Sequence, residues 1–216
     1  MDLSVVFEND RLVAVSKPSG QLVIPGRGDD QGELLVETVG RYLNAKPYIV
    51  HRIDRGTSGL VLFAKDADAQ RKLSFLFAGR KIKKCYLALV QGEVEADGTI
   101  DEPLRVFGSR RTGVDPRGKP SVTHYAVKER LAGATLLEVR IETGRRHQIR
   151  AHLNYIGFPI LGDGRYGPDR PVGGVPRLML HAWKIGLPGF AKKELALRDD
   201  PPPEFINILR RYPEKR

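Results

Sequence analysis

His51-Arg52-Ile53-Asp54-Arg55-Gly56-Thr57-Ser58 runs without a break into Gly59-Leu60-Val61-Leu62-Phe63-Ala64. The second half is a short apolar run and reads as a buried strand. The first half is a polar, arginine-rich, glycine-flanked loop that feeds it. One carboxylate, Asp54, sits in that loop between Arg52 and Arg55. Neighbouring positive charge favours its ionised form, which suits nucleophilic attack or proton acceptance once water is excluded. Taken by itself, the loop fits a turn aspartate in surface salt bridges better.

Upstream, Ser4 to Glu8 and Leu12 to Ser16 are β-rich and flank Asn9-Asp10, which predicts a hairpin. Lys17 to Gly32, with Pro18, Gly20, Pro25, Gly26, Gly28 and Gly32, reads as an ordered loop, and Glu33 to Asn44 as a helix. Downstream, Asp66 can cap a helix to about Ala78, and Lys84 to Gln91 reads as a buried strand. Gly92 to Pro120 is Gly-, Asp- and Arg-rich and poor in apolar residues; it reads as a long loop that either orders on a partner or is an ordinary connection. Strands are expected at Ser121 to Arg130, Thr135 to Ile141 and Leu178 to Leu187, with a terminal helix from Pro202 to Tyr212. Strands outnumber helices and do not alternate with them. The expected class is α+β around a largely antiparallel or mixed sheet, with residues 1–216 as one domain.

A second constellation is Thr143-Gly144-Arg145-Arg146-His147-Gln148-Ile149-Arg150-Ala151-His152. It reads as a helix opening at Thr143, running to about Tyr155 and ended by Gly157. Arginines in a first helical turn oppose the macrodipole, and an anion docked there would resolve the conflict.

Lys and Arg total 36 against 26 acidic residues, a net charge of +10. Together with the clusters at 80–84, 110–111 and 145–150, this points to a polyanion as partner. No apolar run is long enough to span a bilayer, the N-terminus lacks the features of a secretion signal, and the one cysteine fits a reducing cytoplasm. The five histidines show no metal-ligand spacing, so no metal is expected, and no phosphate-loop or dinucleotide motif suggests a cofactor. Cys85 reads as core, and Ser58 lacks the setting of a hydrolase serine.

Six segments, in order, resemble the RluA-type family of pseudouridine synthases. They are Lys17-Pro18-Ser19-Gly20, His51 to Lys65, Lys84-Cys85-Tyr86 to Gly92, Thr143 to His152, Ile160-Leu161-Gly162-Asp163 and Leu180-His181-Ala182. The resemblance implies the pseudouridine synthase fold and a metal- and cofactor-free isomerisation of uridine in RNA by base flipping. It implies Asp54 as the nucleophile, or as the base that generates a glycal. Tyr86 would stack on the flipped uracil and is a candidate to take the C5 proton, and Arg150 would pair with Asp54. Leu180 would pack beneath the site, and Arg52 is a candidate to fill the space of the flipped nucleotide. His51, Thr57, Arg145, Arg146 and His147 are expected at the substrate. Many relatives carry an extra N-terminal RNA-binding domain that this chain is expected to lack, which leaves substrate choice to loops 18–32 and 105–119. Transfer RNA and large-subunit (23S-type) ribosomal RNA both remain open as substrates. A cytoplasmic monomer is expected. The competing readings are a non-catalytic RNA-binding or assembly protein and a metal-dependent nuclease.

Overall fold

The computed structural model describes residues 3–26, 32–109, 111–168, 170–190 and 194–215. Along the chain, β1 (Ser4–Glu8), β2 (Leu12–Lys17), α1 (Leu35–Leu43), β3 (Tyr48–Ile49), β4 (Ser58–Ala64) and α2 (Ala67–Ala78) come first. Then follow β5 (Lys83–Gln91), β6 (Gly98–Asp101), β7 (Leu104–Val106), β8 (Thr112–Val114), β9 (Val122–Leu131) and β10 (Ala134–Ile141). The last are α3 (Gln148–Tyr155), β11 (Leu180–Leu187), β12 (Leu195–Arg198) and α4 (Pro203–Leu209). The class is α+β, and no helix among the described residues is long and apolar enough to cross a membrane.

The chain divides into two compact units, one of residues 1–83 with 182–200, the other of residues 84–181 with 201–216. In the first, β1 pairs with β2, β2 and β3 pair with β4, and β11 pairs with β12, all antiparallel. The β1–β2 turn is closed by Asn9, whose Oδ1 accepts the Arg11 and Leu12 amides, both at 2.9 Å. Every residue of β4 is buried. Leu12, Ala14, Leu60, Leu62 and Ala64 alternate along β2 and β4 and cluster with Ala69, Leu73 and Leu76 of α2. The intervening Val13, Val15, Val61 and Phe63 are fully buried as well, so the sheet is covered on both faces. Asp66 caps α2 as expected, its Oδ1 accepting the Ala69 amide at 2.7 Å.

Gly59 stands where the arginine loop enters β4. Its φ is +109°, and a Cβ there would lie 2.3 Å from the Ala182 carbonyl oxygen. Only glycine lets the β11 backbone approach this closely.

The second unit holds β5, β10, β9 and β6 as neighbours in one antiparallel arrangement, with β7–β8 as a separate hairpin. Here two expectations are corrected. The stretch from Gly92 to Pro120 is not a structureless loop; it carries β6, β7 and β8. The helix expected from Thr143 begins at Gln148, and His147 before it adopts the left-handed conformation at φ 52°. Arg145 and Arg146 therefore precede the helix, and only Arg150 lies in its first turn.

Candidate active site

The Asp54 turn is held from below by the Lys17-Pro18-Ser19-Gly20 loop. Lys17 is fully buried, and its ammonium donates to the carbonyls of Pro18, Gln21 and Arg55 at 2.7, 2.8 and 3.0 Å. Three donors meet three acceptors, which is how a buried ammonium is kept in place. Ser19 Oγ donates to the Gly56 carbonyl at 2.7 Å, the Gly20 amide to the Arg55 carbonyl at 2.8 Å, and Arg55 Nε back to the Gly20 carbonyl at 2.9 Å. The Thr57 amide donates to the Asp54 carbonyl at 3.1 Å and closes the turn. The Asp54 backbone is thus pinned on both sides, while its side chain is half-buried. Thr57 is buried beside it and Arg52 is exposed. His51 accepts the Leu62 amide at Nε2, 2.9 Å away, and stacks on Phe77, so its ring anchors the loop to β4 and α2.

In the second unit, Tyr86 lies on β5 opposite Val139 of β10 and is half-buried. Lys84 is two residues earlier, on the same face, and burial pushes its ammonium below the ordinary lysine range. Leu180, the first residue of β11, is buried.

Arg150 projects from α3 and is gripped edge-on by Asp163. Its Nε and Nη2 donate to Oδ2 and Oδ1, each at 2.8 Å, and Asp163 is fully buried. Asp163 Oδ1 also accepts the amides of Arg165 and Tyr166 at 2.8 and 3.1 Å. The face of Tyr166 packs 5.1 Å from the same guanidinium, and 5.2 Å from that of Arg111. Asp163 uses two of the five guanidinium donors, and the planar group is fixed in direction by its edge and its face together. Neither Asp163 nor Tyr166 was expected at the site, although the Gly162-Asp163 segment was among those that carry the resemblance.

The turn into α3 is built by one amide. Buried Gln148 accepts from Thr143 Oγ1 (2.7 Å) and the Arg145 amide (3.0 Å), and donates to the Val122 carbonyl (2.9 Å) and Thr123 Oγ1 (3.0 Å). Its four positions are all used, which is why the backbone turns here before the helix starts. Thr123 Oγ1 lies 2.9 Å from His152 Nδ1, and His152 Nε2 lies 3.0 Å from the Glu102 carbonyl. The Glu102 carbonyl can only accept, so Nε2 carries the ring hydrogen, and in the neutral ring Nδ1 then accepts the Thr123 hydroxyl proton. Burial pushes the His152 imidazole below its ordinary value, in keeping with this neutral form. His147 Nδ1 meets the Tyr166 hydroxyl at 3.1 Å. Among the described residues the Arg145 guanidinium reaches only the Pro120 carbonyl, at 3.4 Å from Nε and Nη2, and Arg146 is exposed.

The arrangement therefore offers a rigidly mounted carboxylate in one unit and, in the other, an oriented guanidinium and a strand tyrosine. Among the described residues, no group of three or more His, Cys, Asp or Glu side chains is placed to hold a metal.

A family model described as RNA pseudouridylate synthase matches residues 11–155. The ribosomal large subunit pseudouridine synthase D of Nitrosomonas europaea is 40% identical over 224 residues, covering 96% of this chain and 64% of its own length. An uncharacterized RNA pseudouridine synthase of Chloroflexus aurantiacus is 42% identical, covering 80% of this chain and 57% of its own length. This chain thus spans about three-fifths of the length of these two relatives. The synthase D of Buchnera aphidicola is 36% identical over 96% of this chain and 72% of its own length. Among solved structures, human RNA pseudouridylate synthase domain containing 4 superimposes with a TM-score of 0.81 at 24% identity, over 96% of this chain and 92% of that one, a likeness of fold.

Proposed function

The chain belongs to the RNA pseudouridylate synthase family, and on that premise we propose that it isomerises uridine to pseudouridine in RNA, with Asp54 as the reacting carboxylate. The observation that carries the reading is the mounting of Asp54. A buried lysine and a set of backbone bonds hold its loop from beneath, while its side chain remains only half-buried. A turn aspartate kept for surface salt bridges needs no such support.

The reaction breaks the N1–C1′ bond, turns the base, and forms a C5–C1′ bond. C5 loses a proton and N1 gains one, so substrate and product have the same composition. Asp54 attacks C1′, or removes the C2′ proton to give a glycal. Tyr86 offers a face for the flipped uracil and is the candidate to accept the C5 proton. Arg150, aimed by Asp163, supplies positive charge to the reacting set, with Leu180 packing beneath it. Arg52, exposed beside Asp54, is the candidate to fill the space left in the RNA. Arg145, Arg146 and His147 are assigned to phosphate contact, and Thr57 and His51 to the support of the loop.

Several curated relatives are named for the large ribosomal subunit, which favours large-subunit ribosomal RNA over transfer RNA as the substrate. The same reading has residues 1–216 act as one catalytic domain, in the cytoplasm, as a monomer without metal or cofactor. Light scattering in solution checks the monomer.

The test is tritium release from RNA labelled at uridine C5, on ribosomal and transfer RNA pools separately. Wild type should release tritium from the ribosomal pool, and Asp54→Asn should lose at least about 10³-fold in rate. The variant should bind RNA as wild type does, because the carboxylate acts in chemistry and not in docking. Binding with no release from either pool would instead indicate an assembly factor, and release that needs a divalent metal, with strand scission, a nuclease.

A further inference from the structure

We propose that the tip of the β7–β8 hairpin, Phe107 with Val106 and the Arg105 guanidinium, is a stacking platform for an unpaired base of the RNA. The inference deepens the RNA-modifying reading above.

The base of the hairpin is built to be rigid. Leu104 and Val114 are register partners and pack with Ala151 and Tyr166. The Leu104 and Lys119 backbones exchange bonds of 3.0 and 2.8 Å. A Cβ on Gly118 would fall 2.5 Å from the Leu104 carbonyl carbon, so the segment that follows β8 closes onto the start of β7 by direct backbone contact. Asp115 is buried at the stem and takes Arg117 Nε and Nη2 at 3.1 and 2.9 Å and Arg105 Nη1 at 3.4 Å. The Thr112 amide is fastened to the Tyr166 hydroxyl at 3.0 Å.

Beyond this stem the apolar residues continue but the cover does not. Val106 is 50% exposed and Phe107 40%. The Phe107 amide donates to the Arg111 carbonyl at 2.9 Å and closes the tip. The ring is seated beside Gly113, where a Cβ would come within 3.1 Å of it, and the Arg105 guanidinium lies 5.9 Å from its centroid. A tip selected only for solubility would be polar. A guanidinium lying over an aromatic ring, both in place before any ligand arrives, supplies the two kinds of group on which unpaired bases stack.

Charge selects the occupant. Residues 104–119 carry Arg105, Arg110, Arg111, Arg117 and Lys119 against Asp115 alone, a net +4 of the chain's +10. An apolar protein surface has no use for that charge, whereas a nucleic acid needs both the charge and the ring. Paired bases are already stacked on one another, so the platform favours a loop or bulge over a duplex.

The test uses the full chain with two probes that contain no uridine, a 12-nucleotide oligocytidylate and a 12-base-pair duplex of guanosine and cytidine. Phe107→Ala should weaken oligocytidylate binding about 5- to 100-fold and duplex binding less than about 2-fold. Phe107→Tyr should restore single-strand binding to within about 3-fold, since it keeps the ring. The salt dependence should be the same in all three proteins, because no charge is removed. Unchanged single-strand binding in Phe107→Ala, an equal loss on both probes, or failure of tyrosine to rescue would each overturn the platform. Unchanged RNA binding with an altered oligomeric state would also overturn it, in favour of a protein contact. As neither probe can be modified, a wild type that binds them through Phe107 yet releases no tritium from ribosomal or transfer RNA would remove the proposed reaction and leave the platform.

Discussion

Asp163 accepts four hydrogen bonds while fully buried, two of them from Arg150. Replacing it with asparagine would turn one acceptor into a donor facing a guanidinium, and Arg150 would lose its fixed direction. Asp163→Asn is therefore expected to lower the single-turnover rate about 10- to 100-fold and to cost about 3 kcal/mol of stability. RNA affinity should change less than about 3-fold, because Asp163 has no exposed surface to offer RNA. Rapid-quench kinetics alongside filter binding checks it, and a Kd that worsens in step with the rate would make Asp163 a binding residue. This pair could not be read from the sequence. The partners stand thirteen positions apart, and nothing local says which of 26 carboxylates an arginine meets. Lys17 was equally hidden, since an isolated lysine after a strand reads as solvent-facing until three carbonyls are found around it.

At the level of elements, β4 and its arginine loop were legible because an apolar run joined to a polar turn leaves few alternatives. The glycine at their junction makes a sharp prediction. Gly59→Ala would force a Cβ into the Ala182 backbone at a φ that alanine avoids, and should cost about 3 kcal/mol or more. Chemical denaturation of the variant checks this, and a midpoint equal to wild type would mean that β11 can move away. The start of α3 was not legible. Thr143 looks like an N-cap, but the Gln148 side chain takes up the hydroxyl and the Arg145 amide that a helix start would use. The short strands β6 to β8 escaped notice because they run for only three or four residues among glycines and arginines, where period-2 patterning cannot show. The helix is tied to this region by His152, which is neutral and fully buried. Its folded pKa lies below the unfolded value near 6.5, so the unfolded chain takes up the proton first as pH falls. Stability should thus be unaffected by this residue above about pH 7.5 and should fall below about pH 6.5, by at most about 1.4 kcal/mol per pH unit. His152→Gln should flatten that part of the profile. Identical slopes for the two proteins between pH 7 and 5.5 would rule the coupling out.

For the chain as a whole, the +10 charge is informative through where it is not neutralised. Asp68, Glu8, Asp115, Glu194 and Glu204 each hold a basic partner, so part of the positive charge is already answered within the fold. Arg52 and Arg146 are exposed in the two segments proposed to meet RNA, and the 104–119 hairpin retains a net +4. If about six phosphates are neutralised, the slope of log K against log salt should be near −4, since single-stranded RNA releases about 0.7 counterion per contact. Affinity should then fall about 10²- to 10³-fold between 50 and 200 mM salt. Removing one exposed arginine should make the slope shallower by about 0.7 while leaving the sequence preference of binding unchanged. Arg146→Ala is the cleaner choice, because Arg52 also has a proposed place inside the RNA stack. A flat salt response would mean that the surplus charge serves solubility, and that the interface is held by stacking and base contacts alone. A slope that stays steep in Arg146→Ala would instead move the phosphate contacts away from the residues before α3, and leave the hairpin as the main electrostatic contact.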